Sequence, residues 1–92
     1  WDAAEHLDSP EAIAAYVDAA MEDGDPALVS AVLGDVARAM GMTQIAKDTG
    51  MSRESLYRAL SAEGHPEFAT VAEVMKALGL RLSAIPASRG AS

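Results

Sequence analysis

The amino-acid sequence predicts an all-α protein: a five-helix bundle that contains a helix-turn-helix. Half of the 92 residues are hydrophobic but only 4% are aromatic, so the core must be built mainly from small and aliphatic side chains, which suits closely packed helices. Five stretches also carry apolar residues at spacings of three and four, and they are separated by residues typical of helix boundaries. The length allows one domain with a modest core, but not a deep enzyme cleft.

We expect a single helix-turn-helix domain over residues 1–86. It begins with an acidic pair of helices in residues 1–41, followed by the helices that include the helix-turn-helix in residues 42–79 and a possible short strand in residues 80–86. Residues 87–92 are small and polar, which predicts a flexible tail.

The first helix is predicted to begin at Ser9, whose hydroxyl can cap it, with Pro10 at the first helical position. Glu11 then lies near the positive end of the helix dipole, and Gly24 ends the helix. The residues expected to face inward are Ile13, Tyr16, Val17, Ala20 and Met21.

The second helix is predicted to begin in the same way at Asp25 and Pro26. The link between the first two helices is therefore only a couple of residues long, and the two should pack against each other. Gly41 ends this helix, and Gly34 inside it predicts a close contact with another helix. The expected inward residues are Val29, Val32, Leu33, Val36, Ala37 and Met40.

Residues 43–60 can be read as two short helices that meet at a glycine, the arrangement of a DNA-reading helix-turn-helix. Thr43 is predicted to cap the first of them, Gly50 to end it with a positive φ, and Ser52 to cap the second. The expected inward residues are Ile45, Ala46, Met51, Leu56, Ala59 and Leu60. An ordinary helical corner is the alternative, but the small Ala46 and the cations on the second helix favour a DNA-binding motif.

The second of these helices has an outward face that suits DNA. By helical phase it consists of Ser52, Arg53, Glu54, Tyr57 and Arg58. The guanidinium groups of Arg53 and Arg58 can bind guanine edges or phosphates, and Arg53 is the best candidate for a base contact because it lies near the helix start. Thr43, Gln44 and Lys47 are expected to set the register on the DNA backbone.

The net charge of −7 opposes DNA binding on average, but the charges are segregated along the chain. Residues 1–35 contain nine acids and no Lys or Arg, whereas residues 36–61 contain four cations and two acids, an excess of two positive charges. We expect the acidic part to repel DNA and attract a basic protein, while the middle of the chain meets phosphate. The alternative is an acidic surface that only keeps the protein soluble.

The last helix follows a loop that contains Gly64 and Pro66. The sequence Thr-Val-Ala-Glu at residues 70–73 predicts a capping box that opens this helix, and Gly79 ends it. The expected inward residues are Val71, Val74, Met75 and Leu78.

Residues 80–85 alternate apolar with polar or small side chains, which is typical of a half-buried strand, and Pro86 ends the run. One strand is not stable alone, and the sequence has no second one. We therefore expect residues 80–86 to pair with their copy in a second subunit as a small antiparallel ribbon. A plain extended tail is the alternative.

Other functional classes find no support in the sequence. No apolar run approaches the roughly 18 to 20 residues of a membrane span, and the first residues do not resemble a signal peptide, so we expect a cytoplasmic protein with no membrane partner. The absence of cysteine excludes thiolate metal sites and disulfides. His6 and His65 do not have metal-ligand spacing, and no nucleophile motif or phosphate-binding loop is present. We therefore predict neither an enzyme nor a metal or cofactor site.

Several segments together carry a resemblance to a known family. They are Asp-Gly-Asp-Pro-Ala-Leu at 23–28, Gly-Met-Thr-Gln-Ile-Ala at 41–46, Gly-Met-Ser-Arg-Glu-Ser-Leu-Tyr-Arg-Ala-Leu at 50–60, and Lys-Ala-Leu-Gly-Leu-Arg-Leu at 76–82. From about residue 2 to residue 86 the chain resembles the addiction-module antidote proteins, a family of Xre-like, HigA-like helix-turn-helix antitoxins. The resemblance implies a homodimer that represses its own operon by binding double-stranded operator DNA. It also implies that the dimer neutralises a small basic toxin, RelE-like or HigB-like, encoded beside it.

The resemblance extends to individual positions. Thr43 and Gln44 match the start of the first motif helix, where such proteins touch phosphate, and the five outward residues from Ser52 to Arg58 match the reading helix. Ala59 departs from the family pattern because a large aliphatic residue is common there, so the rotation of the reading helix can differ by one residue. Two alternatives are a solitary transcriptional regulator without a toxin and a protein-interaction module that no longer binds DNA.

Overall fold

The computed structural model describes residues 9–87. Its helices are α1 (Pro10–Asp23), α2 (Pro26–Met40), α3 (Met42–Thr49), α4 (Arg53–Ala59) and α5 (Phe68–Ala77). The predicted all-α class and the five helices are confirmed for this part of the chain. Between residues 9 and 87 no strand is formed, and the segment after residue 79 has no regular secondary structure. The predicted tail beyond Ala87 and the acids Asp2, Glu5 and Asp8 lie outside the described residues.

The predicted boundaries of α1 and the start of α2 are confirmed by their capping bonds. The Ser9 Oγ accepts a hydrogen bond from the Ala12 N–H at 3.1 Å, and the Asp25 Oδ1 accepts one from the Ala27 N–H at 3.0 Å. Gly24 adopts φ of 83°, the left-handed conformation that ends α1. The short link lets α1 and α2 pack against each other, as expected.

The predicted cap at Thr43 is wrong, because α3 begins one residue earlier, at Met42. Gly41, with φ of 111°, occupies the N-cap position and no side chain caps this helix. Early entry into the helix brings the Met42 side chain into the core, where it is only 5% exposed. Met40, predicted to face inward, is 43% exposed instead. The helix α2 ends at Gly41, and Met42 rather than Met40 is buried in the core.

The predicted capping box at residues 70–73 is also wrong, because α5 begins at Phe68. Glu67 is the N-cap in an extended conformation, and its carbonyl accepts the Val71 N–H at 3.1 Å. Thr70 therefore lies inside the helix. Pro66 ends the preceding loop, and the chain enters the helix almost at once after it, two residues before the Thr-x-x-Glu pattern.

The core is formed by all five helices, with α3 packed against α2, α4 and α5. The buried hydrophobic residues are Ile13, Val17, Ala20, Val32, Leu33, Val36, Ala37, Met42, Ile45, Ala46, Leu56, Leu60, Val74, Met75 and Leu78. Apart from Met42, every one of them was expected to face inward. Because α3 contacts α4 as well as α2 and α5, the buried side chains of α3 also hold α4 in place.

Gly34 forms the close contact that its position in α2 predicts. A Cβ atom built on Gly34 would overlap the backbone carbonyl oxygen of Leu60, at the end of α4. The C-terminal end of α4 therefore approaches α2 as closely as only glycine permits.

A hydrogen-bonded cluster links α1 to α2 beside this contact. The Tyr16 hydroxyl donates to the Asp35 Oδ2 at 3.2 Å, and the Arg38 guanidinium donates to the Asp35 Oδ1 at 2.6 Å. Partial burial, followed by the charge of Asp35 and the hydrogen bond to it, raises the pKa of Tyr16 above its ordinary value. The proton on Tyr16 thus stabilises the packing of α1 on α2.

Replacing Tyr16 with Phe should lower the free energy of unfolding at neutral pH by about 0.5 to 1.5 kcal/mol, because the Asp35 hydrogen bond is lost. The pKa of Tyr16 is higher in the folded chain than in the unfolded one, where it is about 10. Its contribution is therefore complete below pH ~10 and is lost as the pH rises through the folded-state pKa. Urea unfolding from pH 7 to 11 should show the difference in stability between the wild type and the Tyr16→Phe variant shrinking at high pH.

The matched control for this prediction is Tyr57→Phe, which removes the same hydroxyl from an exposed position on α4. Its effect on unfolding should be small. A loss of stability as large as that of Tyr16→Phe, with the same dependence on pH, would contradict a specific role for the Tyr16 and Asp35 pair.

Candidate nucleic-acid interface

A tight turn at residues 50–52 joins α3 to α4. Gly50 has φ of 74°, its N–H donates to the Lys47 carbonyl at 3.4 Å, and the Met51 N–H donates to the Ala46 carbonyl at 3.1 Å. This pair of hydrogen bonds is the Schellman motif, which requires a residue in the left-handed region. The Ser52 Oγ then accepts the Ser55 N–H at 3.0 Å and caps α4. The expected roles of Gly50 and Ser52 in this turn are confirmed.

The rotation of α4 is set by two leucines. Leu56 is 0% exposed and Leu60 is 1% exposed, whereas Ala59 is only half-buried. The smaller residue at position 59 therefore does not turn the helix, since Leu56 and Leu60 hold its inner face against the core. Arg53, Tyr57 and Arg58 lie on the opposite, solvent-exposed face, as the helical phase predicts.

All eight residues predicted to contact DNA are exposed: Thr43, Gln44, Lys47, Ser52, Arg53, Glu54, Tyr57 and Arg58. Within residues 9–87 the one ion pair joins Arg38 to Asp35, so no carboxylate of this part of the chain neutralises the Arg53 or Arg58 guanidinium. Two of the eight have side chains held by intramolecular bonds. The Gln44 amide donates to the Asp48 carboxylate at 2.8 Å, and the Ser52 hydroxyl is bound to Ser55.

The loop after α4 folds back onto the end of that helix, which the sequence did not indicate. The Ser61 hydroxyl donates to the Arg58 carbonyl at 3.0 Å, and Gly64 packs so closely that a Cβ there would overlap the Arg58 and Ala59 carbonyl oxygens. A shallow cleft of about 360 Å³ results, and it brings His65 to the same surface as Arg58. Gly64 and Pro66 predicted a loop here, but not its return to the end of α4.

The exposed acids are unevenly distributed over the helices. The exposed acids of the first two helices and their link are Glu11, Asp18, Glu22, Asp23 and Asp25. Asp35 is half-buried and paired with Arg38. The helix α1 therefore exposes acids and no Lys or Arg, whereas α3 and α4 together expose Lys47, Arg53 and Arg58 against Asp48 and Glu54, an excess of one positive charge.

These features describe a small helical protein with one anionic helix, α1, and a pair of helices, α3 and α4, that has a small excess of positive charge. A family model described as "Probable addiction module antidote protein" matches residues 1–86. An uncharacterized protein of Haemophilus influenzae is 52% identical over 81 residues, which cover 88% of this chain and 84% of that protein. No solved structure matches the chain.

The chain belongs to the family of probable addiction module antidote proteins, which makes it an antitoxin of a toxin-antitoxin system with a toxin as its partner. The predicted antidote family is thereby confirmed. Every helix in residues 9–87 is too short or too polar to cross a membrane.

Proposed function

We propose that this antitoxin is a Xre-like, HigA-like helix-turn-helix protein that binds DNA, represses its own operon and neutralises a RelE-like or HigB-like toxin of a type II module. The observation that carries the DNA-binding role is the construction of α4. Leu56 and Leu60 anchor one face in the core, while Arg53 and Arg58 extend from the other into solvent without an ion pair in residues 9–87. The proposed role is non-enzymatic, needs no cofactor and is cytoplasmic.

In the proposed complex, two subunits place their α4 helices in successive major grooves of a palindromic operator, about 34 Å apart. Arg53 reads a base edge because it is the first residue of α4. Arg58 reaches either a base or a phosphate, and Thr43, Gln44 and Lys47 hold the DNA backbone. The acids of α1 are kept away from the phosphates in this arrangement.

We also propose that the two subunits associate through residues 80–86, as the alternating sequence predicts. Leu82 is 38% exposed and Ile85 is 80% exposed, although both are large and apolar. Pairing of these segments between subunits would bring apolar side chains of the two copies together, with Leu82 and Ile85 on opposite faces of the ribbon, and would satisfy backbone groups that a single chain leaves in solvent.

Replacing Arg53 with Ala should weaken binding to the operator by about 1 to 3 kcal/mol and relax the preference for one base pair. Lys47→Ala should instead weaken all sequences alike and reduce the salt dependence of binding, because a phosphate contact carries no sequence information. Both effects can be measured by fluorescence anisotropy over a range of salt concentrations. The probes are the DNA upstream of this chain's own gene and duplexes with single base-pair changes.

Lys76→Ala is the matched control, since it removes an exposed cation of α5 that lies outside α3, α4 and residues 80–86. It should leave the base preference unchanged. If Arg53→Ala weakened every duplex equally, Arg53 would not be a base-reading residue.

The net charge of −7 favours one alternative, an interaction module that no longer binds DNA. Because phosphate contacts dominate at low salt, a wild-type chain that binds neither this upstream DNA nor heparin at low salt would support that alternative. A solitary regulator would bind DNA normally, but its gene would have no neighbour that encodes a small basic protein.

A further inference from the structure

An apolar groove lies between α1 and the segment that follows α5. Its floor is formed by Val17 and Met21 of α1, Met75 of α5, and Leu80, while Ala15 and Leu82 lie along its sides. The groove has a volume of about 410 Å³ and is open to solvent. This volume is within the range of sites that bind several side chains or a small ligand.

The wall formed by residues 80–83 is held in place by the end of α5. Gly79 has φ of 80°, its N–H donates to the Lys76 carbonyl at 3.0 Å, and the Leu80 N–H donates to the Met75 carbonyl at 2.8 Å. This is a second Schellman motif, and it turns the chain so that Leu80 packs on the core. The groove is therefore preformed in the single subunit.

The charges around the groove indicate the chemistry of its occupant. Asp18 lines the α1 side, and Glu11 and Glu22 lie on the same exposed stripe of α1 at spacings of seven and four residues. No ion pair in residues 9–87 neutralises these carboxylates. Arg81 and Ser83 are the polar residues of the other wall. An occupant with apolar side chains and with Lys or Arg facing α1 fits this surface.

We infer that this groove is the docking site for the toxin and that it binds an amphipathic segment of the toxin, with apolar side chains in the groove and cations against Asp18. The inference rests on the proposed toxin neutralisation and names the surface that performs it. Laying one apolar face of a segment into a groove is a common mode of peptide recognition. The second copy that we propose to pair with residues 80–86 fits the groove itself less well, because this chain has seven Lys and Arg against 14 Asp and Glu and so offers few cations to face Asp18.

Ala15→Arg tests the groove directly. Ala15 is exposed, so the substitution should not disturb the core, yet its long cationic side chain would occupy the groove. The probe is the purified protein encoded by the reading frame next to this chain's gene, and the measurement is its affinity by calorimetry. We expect binding to weaken by about 30-fold or more, the effect of losing a central contact in an interface. Ala39→Arg, the same change at an exposed alanine of α2 outside the groove, should change affinity by less than about twofold.

A second pair of variants tests the charge complementarity. Asp18→Asn should slow association with the toxin and reduce its salt dependence, because rim charges act mainly on the association rate. Asp23→Asn makes the same change at an exposed acid of α1 that does not line the groove, and should have a smaller effect on both. Deleting α1 would not serve as a test, since Ile13, Val17 and Ala20 belong to the core.

The outcomes separate this inference from the proposed function. Equal affinity of the wild type and Ala15→Arg for the toxin would reject the groove and leave neutralisation standing. A wild-type chain that does not bind the neighbouring gene's product would reject both neutralisation and the docking site, without affecting the DNA-binding result. Conversion of toxin-free dimers to monomers by Ala15→Arg, seen by light scattering, would assign the groove to a second copy and overturn the inference.

Discussion

Leu33→Ala is expected to lower the free energy of unfolding by about 2 to 5 kcal/mol, the usual cost of truncating a leucine in a close-packed core. Leu33 lies in α2, is 0% exposed and is among the largest fully buried side chains of the described residues. Native domains are stable by only about 5 to 15 kcal/mol, so a loss of this size would leave much of the protein unfolded at moderate denaturant concentrations. Urea unfolding followed by circular dichroism would measure it.

Leu28→Ala is the matched control because it makes the same change in the same helix at a side chain that is 40% exposed. It should cost less than about 1 kcal/mol, since little apolar surface is returned to water. Similar losses for the two variants would show that the packing of α2 differs from the one described. The structure specifically requires a large cost at position 33 and a small one at position 28.

Gly34→Ala should also destabilise the protein, by up to about 3 kcal/mol, although alanine is the better helix former. The new Cβ would overlap the Leu60 carbonyl oxygen, which is backbone and can move only if the end of α4 moves with it. The expected result is a lower urea midpoint together with weaker DNA binding, because the displaced helix carries Arg53 and Arg58.

Ala39→Gly provides the comparison for this prediction, because it reports helix propensity at an exposed position of the same helix. It should cost no more than about 1 kcal/mol. Because propensity alone would make Gly34→Ala stabilising, any loss at position 34 measures the close contact. A Gly34→Ala chain as stable as the wild type would mean that α2 and the end of α4 do not approach as described.

These two predictions connect the stability of the bundle to the proposed function. The helix α4 has only seven residues and would not be stable in isolation, since helices shorter than about 12 residues are marginal in water. It exists because Leu56 and Leu60 are buried against the other helices. A substitution in the core can therefore reduce DNA binding without changing any residue that touches DNA.

Local chemistry explains which helix boundaries were predictable. Ser9, Asp25 and Ser52 cap their helices as expected, because a side-chain oxygen needs only an N–H two or three residues further along the chain. Two predicted helix starts were wrong. The helix α3 begins at Met42, one residue before the proposed cap Thr43. The helix α5 begins at Phe68, two residues before Thr70, the first residue of the proposed capping box. The early start of α3 is accompanied by the burial of the Met42 side chain. A capping pattern contains no information about the burial of a side chain in the core.

The candidate interface was likewise predictable in part. Helical phase placed Arg53, Tyr57 and Arg58 on an exposed face, because it requires only the positions of Leu56 and Leu60 in the same helix. The return of the 61–65 loop to the end of α4 and the hydrogen bond from Tyr16 to Asp35 were not predictable. Both depend on how segments approach one another after each has formed.

The sequence by itself determined the five helices, most of their inner faces and the separation of acidic from cationic segments, since spacing and capping act within a few residues. Only the tertiary structure decided that Met42 enters the core in place of Met40, that Gly34 meets Leu60, and that α1 and residues 80–83 enclose a groove. The periodicity of a helix shows which of its faces is buried. Its neighbours depend on the simultaneous packing of residues that are far apart in the chain.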